Sequence, residues 1–295
     1  MSDDTGLETT EPHESDAPRK DPDTGDGRAT DEAASGTTFR GEDLVVGYPT
    51  APEPVVDGES VIAAPGEVTA LVGPNGSGKS TLLKGLADQI GLDAGRVLVD
   101  GDEVRSLGAK ELARRVGLLS QENVSPESIT VEKLVAHGRY PHRGFFDGLT
   151  GADREAMARA IDMAGVDHLR EREVGSLSGG QKQLVWIAMV LAQETDVVLL
   201  DEPTTFLDLH HQLQVMDIVE RLRDESEKTG VVVLHDVEQA ARFADYIVAL
   251  DDGSVYDWGP PREVLTEELL ADVFAVDATV SHDPLRVTPR RAIED

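Results

Sequence analysis

The sequence predicts an α/β fold: a largely parallel sheet flanked by helices, with a region of short strands and a block of helices set into it. Three observations carry that expectation. An apolar run, Val68-Thr69-Ala70-Leu71-Val72, passes through a glycine-rich loop into a helical pattern at Leu82, Leu83 and Leu86. Further on, two apolar runs, Val197–Leu200 and Val231–Leu234, flank a helical stretch from His210 to Arg223. Strand, helix and strand in that order imply parallel neighbours joined by a right-handed crossover. Between these regions helical spacing dominates from about Thr130 to Ala192, most clearly over Asp153–Ala164 and Gln181–Ala192.

Taken in chain order, residues 1–37 come first, with one large aliphatic residue, Leu7, among Asp, Glu, Thr, Gly and Pro. Such a segment cannot bury enough apolar surface to offset the entropy of ordering, so an acidic disordered tail is expected. Hydrophobic texture begins at Phe39. Leu44–Val46, Glu67–Val72 and Arg96–Val99 read as short strands between turns bearing Pro and Gly, the last ending at Asp100-Gly101. Short strands around the glycine-rich loop suggest that this part of the sheet is antiparallel. No internal repeat is visible.

Composition narrows the class. The 295 residues contain no cysteine, which rules out disulfides and cysteine-ligated metals, and 39% of them are hydrophobic, enough for a core. No apolar run approaches the roughly 18 residues of a membrane span. The polar, acidic N-terminus resembles neither a secretory signal nor a transit peptide. A soluble cytoplasmic chain is the expectation. Net charge is −30, of which residues 1–37 hold 11 acids against 3 bases. A surface this acidic repels nucleic acid, except in molar salt, where the Debye length falls to about 3 Å. It resembles adaptation to a salt-rich cytoplasm.

The glycine-rich loop carries the chemistry. Gly73-Pro74-Asn75-Gly76-Ser77-Gly78-Lys79-Ser80 fits G-x-x-x-x-G-K-[ST], with Thr81 following, and lies between a strand and a helix as that pattern requires. Its glycines let backbone N–H groups turn inward, and the helix N-terminus adds partial positive charge: a cradle for nucleotide phosphates. Lys79 is placed to reach the β/γ-phosphates and Ser80 to ligate Mg²⁺. A chance glycine turn is the bland alternative, and the flanks decide against it. The strand Val197–Leu200 ends in Asp201-Glu202. Asp201 is expected to hold the Mg²⁺ shell and Glu202 to act as general base on an attacking water.

Leu177-Ser178-Gly179-Gly180-Gln181 opens a second helix with serine and two glycines, a second phosphate-seeking turn in a chain with one cradle. As local structure this is a serine N-cap. The motif also resembles the signature of ABC-type ATPases. Membership implies a P-loop NTPase (RecA-like) core with an antiparallel β subdomain and an inserted α-helical signature subdomain. Two such domains pair head to tail, so that Ser178, Gly179, Gly180 and Gln181 of one copy close over ATP held by the other. The resemblance also implies roles for Gln121 (a loop contacting Mg²⁺ and the γ-phosphate), His235 (a switch on the γ-phosphate), Asp208 (in a loop, Thr205-Phe206-Leu207-Asp208, crossing the dimer interface) and Tyr48 (stacking on adenine). The commoner family form of that loop begins Ser-Ala. The adjacent His210 and His211 point different ways on a helix and cannot share a metal, so they are read as surface or interface residues.

The layout this implies is a tail over 1–37, an ATP-binding domain over 38–280 with its helical subdomain at about 122–180, and an extension over 281–295. Gly138-Arg139-Tyr140-Pro141-His142-Arg143-Gly144 resembles a segment of ATPases in siderophore, haem and cobalamin importers, with siderophore members foremost. The implied function is ATP hydrolysis, with Mg²⁺, powering ferric siderophore uptake. The implied setting is a homodimer on the cytoplasmic side of the membrane, bound to a permease and served by an extracellular substrate-binding protein. Cobalamin or haem import is the alternative cargo. Soluble ABC-type ATPases of DNA repair or translation carry long coiled coils or two nucleotide domains. Here Gln121 and Ser178 are 57 positions apart and there is one cradle.

Overall fold

The computed structural model describes residues 36–144, 147–226 and 228–294. In chain order its elements are β1 (Phe39–Val46), β2 (Val56–Ala63), β3 (Val68–Val72), α1 (Lys79–Leu86), β4 (Leu92–Val99), β5 (Asp102–Glu103), α2 (Ala109–Arg115), β6 (Val116–Leu119), α3 (Val131–His137) and α4 (Gly151–Met163). There follow α5 (Gly179–Leu191), β7 (Val197–Leu200), α6 (Leu209–Ser226), β8 (Thr229–Val233), α7 (Val237–Phe243), β9 (Tyr246–Asp251), β10 (Ser254–Gly259), α8 (Pro261–Val264), α9 (Glu267–Asp272), β11 (Val276–His282) and β12 (Leu285–Ala292).

The central sheet runs β10-β9-β3-β8-β7-β6. Its five strands from β9 to β6 are parallel, and β10 is an antiparallel edge. All residues of β3 and β7 are buried, as expected of parallel strands covered on both faces. The two-residue period of a strand then divides each one between two cores. Val68, Ala70 and Val72 of β3, Val198 and Leu200 of β7, and Val232 of β8 enter one core, which also takes the apolar faces of α3–α7. The alternate residues Leu71, Val197, Leu199, Val231 and Val233 enter a second core with Leu82, Leu83 and Leu86 of α1. That second core is closed by an antiparallel sheet, β2-β1-β4-β5.

Of the short strands, Leu44–Val46 and Arg96–Val99 fall in this separate antiparallel sheet, whereas Glu67–Val72 supplies β3 to the parallel one. β2 was not anticipated. Val56-Asp57-Gly58-Glu59-Ser60 breaks apolar alternation, and its pairing with β1 shifts register between Gly41 and Leu44 and again before Val46, which blurs a period-2 signal.

The helical block rests on capped helices. Thr150 and Asp153 form a reciprocal capping box on α4, and Ser178 and Gln181 do the same on α5. The buried face of α5, Leu184, Val185, Ile187, Ala188, Val190 and Leu191, packs into the core shared with the central sheet. A bridge between Thr130 and Glu173 closes the block at its base.

The C-terminal residues form a hairpin, β11–β12, with Ala278 and Val287 buried beside Leu270 of α9. It runs across residue 280, where the sequence suggested a boundary. Residues 1–35 of the expected tail, together with Phe145 and Phe146, lie outside the described residues. Among the described residues, no helix is long and apolar enough to cross a membrane.

Candidate active site

Four parallel strands deliver the site from their C-terminal ends: the Gly73 loop from β3, Gln121 from β6, Asp201 and Glu202 from β7, and His235 from β8. From β3 the chain re-enters this sheet at β6, while from the neighbouring β8 it crosses back to β9, so the two connections leave in opposite directions and open a crevice there.

One of the loop's glycines is required by space as well as conformation. Gly73 has φ +150°, and a Cβ on it would lie 2.1 Å from the Leu250 carbonyl oxygen. Gly78, at φ +95°, turns the chain into α1 with a left-handed residue. The Lys79 ammonium folds back onto its own loop, donating to the Gly73 carbonyl (2.9 Å), the Pro74 carbonyl (2.7 Å) and Ser77 Oγ (3.4 Å). Burial lowers its pKa, against the opposing pull of Glu202 and Asp201.

Ser80 Oγ donates to Asp201 Oδ1 at 2.7 Å. Asp201 Oδ2 is buried with no hydrogen-bond partner among the described residues. Burial raises the pKa of this carboxyl, with the Ser80 hydrogen bond opposing. A buried carboxylate oxygen without a partner, beside a serine hydroxyl and the phosphate cradle, fits a hard cation with oxygen ligands. Ser80, Asp201 and Gln121 are the residues that would hold Mg²⁺. Among the described residues, no group of three or more His, Asp or Glu could hold a metal by itself, so phosphate oxygens would complete such a shell.

Glu202 has a left-handed backbone, φ +48°. Its carboxylate is contacted from both sides: His235 Nε2 lies 2.7 Å from Oε1, and Oε2 accepts from Gln121 Nε2 at 2.8 Å and from Thr205 Oγ1 at 3.2 Å.

A concavity of about 240 Å³ is lined by Tyr48, Val55, Asn75, Gly76, Gly78, Lys79, Ser80, Thr81, Glu202 and His235. The Tyr48 hydroxyl lies 3.4 Å from Thr81 Oγ1, and the side chain is 40% exposed. Most of the expected nucleotide residues therefore meet in one place. Gly73, Pro74 and Ser77 contribute by holding Lys79, while Asp201 and Gln121 join through Ser80 and Glu202. Ser178, Gly179, Gly180, Gln181 and Asp208 do not line it. The side chains of Ser178 and Gln181 cap each other's backbone, and Asp208 accepts from the His211 backbone N–H at 3.0 Å at the start of α6.

Two site residues escape sequence reasoning. Val55 lines the concavity from a turn with no periodicity, and only the Thr205 side chain reaches Glu202 from its loop. The Gly138–Gly144 segment lies away from the concavity as a single 3₁₀ turn, Tyr140–His142, beside a buried arginine. Arg139 donates to Asp153 Oδ1 (2.9 Å), the Ala192 carbonyl (2.7 Å) and Glu194 Oε2 (2.8 Å), tying α4 to the end of α5.

The profile of the ABC transporter family matches residues 56–205. The ferric enterobactin transport ATP-binding protein FepC of Escherichia coli (strain K12) is 43% identical over 85% of this chain and 92% of its own. A siderophore transport system ATP-binding protein of Bacillus subtilis (strain 168), YusV, is 42% identical over 84% of this chain and 90% of its own. Among solved structures, a transporter assigned to the metal-chelate type of ABC transporter, in an inward-facing conformation, superposes with a TM-score of 0.73. It is 28% identical and covers 87% of this chain and 98% of its own. The dimeric bacterial ABC transporter cassette MJ0796 superposes at 0.67, also 28% identical, over 76% of this chain and 98% of its own.

Proposed function

Starting from the fact that the chain belongs to the ABC transporter family as an ATP-hydrolysing subunit, we propose that it powers uptake of a ferric siderophore through a partner permease. The observation that carries the catalytic part is Glu202, at the end of β7 beside the cradle, held between His235 and Gln121. The cargo rests on the relatives, two of which are named for ferric enterobactin and siderophore transport.

ATP enters the concavity with its base on Tyr48 and its phosphates on the backbone amides of Gly73–Thr81. Lys79 leaves the Gly73 and Pro74 carbonyls and takes phosphate oxygens instead; its depressed pKa is restored by that negative charge. Ser80, Asp201 and Gln121 would hold Mg²⁺, which would supply positive charge against the phosphate oxygens. Gln121 holds Glu202 Oε2 through its Nε2–H, and release of that bond on nucleotide binding leaves the oxygen free to accept a proton from the attacking water. The water oxygen bonds to the γ-phosphorus as the bond to the β-bridging oxygen breaks. The His235 ring, with Nε2 2.7 Å from Oε1, keeps Glu202 in place throughout.

Ser178–Gly180 of a second copy complete the site, and Asp208 approaches with its loop. The supporting feature is an apolar surface where none is needed in a monomer: Phe206 is 99% exposed on that loop, with Leu209 and Leu213 exposed on α6. Closure shifts the helical subdomain, about residues 122–180, against the core and so moves the permease from the cytoplasmic side of the membrane. An extracellular binding protein supplies the cargo. Reconstitution with the permease in lipid vesicles tests this reading. Ferric siderophore with its binding protein is expected to stimulate ATP turnover and enter the vesicles. Stimulation and entry by cobalamin or haem alone would overturn the cargo assignment.

A further inference from the structure

The histidine pair at the start of α6 has no part in the mechanism above, yet one member lies between the two elements that the second copy would need. His211 is 19% exposed at its side chain. Its Nδ1–H donates to the Asp208 carboxylate, 2.9 Å from Oδ1 and 3.0 Å from Oδ2, while its backbone N–H donates to the same Oδ1. Its ring faces Gly180. A Cβ on Gly180 would lie 2.3 Å from both Cγ and Cδ2 of the imidazole and 2.6 Å from Nδ1. Neighbouring Gly179 has nothing within 4 Å of such a Cβ. The two glycines of the Ser178–Gln181 turn therefore answer to different constraints, and only Gly180 is held to glycine by its own chain.

We propose that His211 is a positioning residue that holds the Ser178–Gln181 turn and the Thr205–Asp208 loop together as one rigid unit, and that position 180 is glycine to admit its ring. Other contacts point the same way. Gln183 Nε2 on α5 donates to the Pro203 carbonyl at 3.0 Å. Gln212, next to His211, donates to the Leu207 carbonyl at 3.1 Å and accepts from Gln239 Nε2 at 3.2 Å. Gln239 in turn accepts from Thr204 Oγ1 at 3.1 Å. The loop is thus fastened at Pro203, Thr204, Leu207 and Asp208, and His211 is the side chain that joins its last residue to the turn. In a site completed by a second copy, both elements must arrive in register, because a displacement of about 1 Å costs on the order of 100-fold in rate.

This inference rests on the shared-site reading, so the test separates the two. Full-length wild type, Gly180→Ala, His211→Ala and the double variant are compared for ATP kcat and KM and for thermal unfolding midpoint. Gly180→Ala is expected to lower kcat by a factor at least about fivefold larger when His211 is present than in the His211→Ala background. The unfolding midpoint is expected to follow the same pattern: a drop for Gly180→Ala beside His211, and none once His211 has been replaced. Wild-type turnover reports on the proposed function, whereas the ratio between backgrounds reports on His211. The midpoints give that ratio even without turnover. Equal effects of Gly180→Ala in both backgrounds, or none in either, would overturn the proposal.

Discussion

Replacing Arg139 with Met tests how the helical block is joined to the rest of the molecule. Arg139 and Asp153 are each 4% exposed and pair at 2.9 Å. Removing one partner of a buried pair costs about 3–5 kcal/mol, because the other charge is stranded. Here the carboxylate keeps other support: Asp153 Oδ2 accepts from the Thr150 backbone N–H (2.9 Å) and hydroxyl (2.7 Å). These two bonds are the foremost reasons its pKa lies well below the usual carboxylate range, with Arg139 contributing less. Glu194, the other carboxylate, keeps Arg159 at 2.7 Å. The Ala192 carbonyl loses its arginine donor, worth about 1 kcal/mol. The low end, about 3 kcal/mol, is the expected loss, a factor of about 150 in the folding equilibrium. Urea unfolding followed by circular dichroism reads it as a lower midpoint at constant slope. Adding Asp153→Asn to Arg139→Met removes the stranded charge and is expected to restore at least about 1 kcal/mol. The pH dependence has a definite sign. A folded pKa below the unfolded one stabilises fully above the unfolded value, about 3.9, and less as pH falls toward the folded value. Asp153→Asn removes that acid-sensitive component. A loss below about 0.5 kcal/mol in Arg139→Met, or no recovery in the double variant, would refute the stranded-charge argument.

Other variants probe the site and the C-terminal region. Glu202→Gln is expected to lower ATP turnover by about 10²–10⁴-fold while leaving ATP bound, so that size-exclusion with ATP shows a persistent dimer; unchanged turnover would remove Glu202 from the base role. Tyr256 donates to Asp272 Oδ2 at 2.7 Å, which pushes its pKa up to about 12. Its folded value exceeds the unfolded one of about 10, so it stabilises the fold fully below pH 10 and loses that contribution as pH rises through 12. Asp272→Asn is expected to return the tyrosine absorbance titration toward its ordinary range, and a titration that stays put would show the hydrogen bond is not the cause.

What the sequence disclosed tracks what is dictated locally. Val68–Val72 and Val197–Leu200 read as buried strands because they are almost wholly apolar, and β3 and β7 are those runs. The residues at their tips, Gly73 and Asp201-Glu202, converge because parallel neighbours end at the same edge of the sheet. Long-range side-chain pairing was not legible. Arg139 sits in a segment whose resemblance pointed to cargo class, yet its partners Asp153 and Glu194 are 14 and 55 residues away. His211 was legible as one of a surface pair, but its packing on Gly180 depends on how α6 passes the start of α5. In the hairpin β11–β12, Val276, Ala278 and Val280 alternate with polar residues, yet the sequence alone leaves an added strand or a loose tail open from about Val276, because β12 carries Arg286, Pro289, Arg290 and Arg291.

The central claim is that each cradle is completed by the Ser178–Gly180 turn of another copy. Mixing two inactive variants, Lys79→Ala and Ser178→Arg, tests it most directly. A mixed dimer then holds one site with both lesions and one with neither. If the copies exchange freely, half the dimers are mixed, and phosphate release is expected at about a quarter of the wild-type rate while each variant alone gives almost none. Activity in the mixture no greater than the sum of the two parents, or wild-type turnover by Ser178→Arg alone, would contradict the shared site.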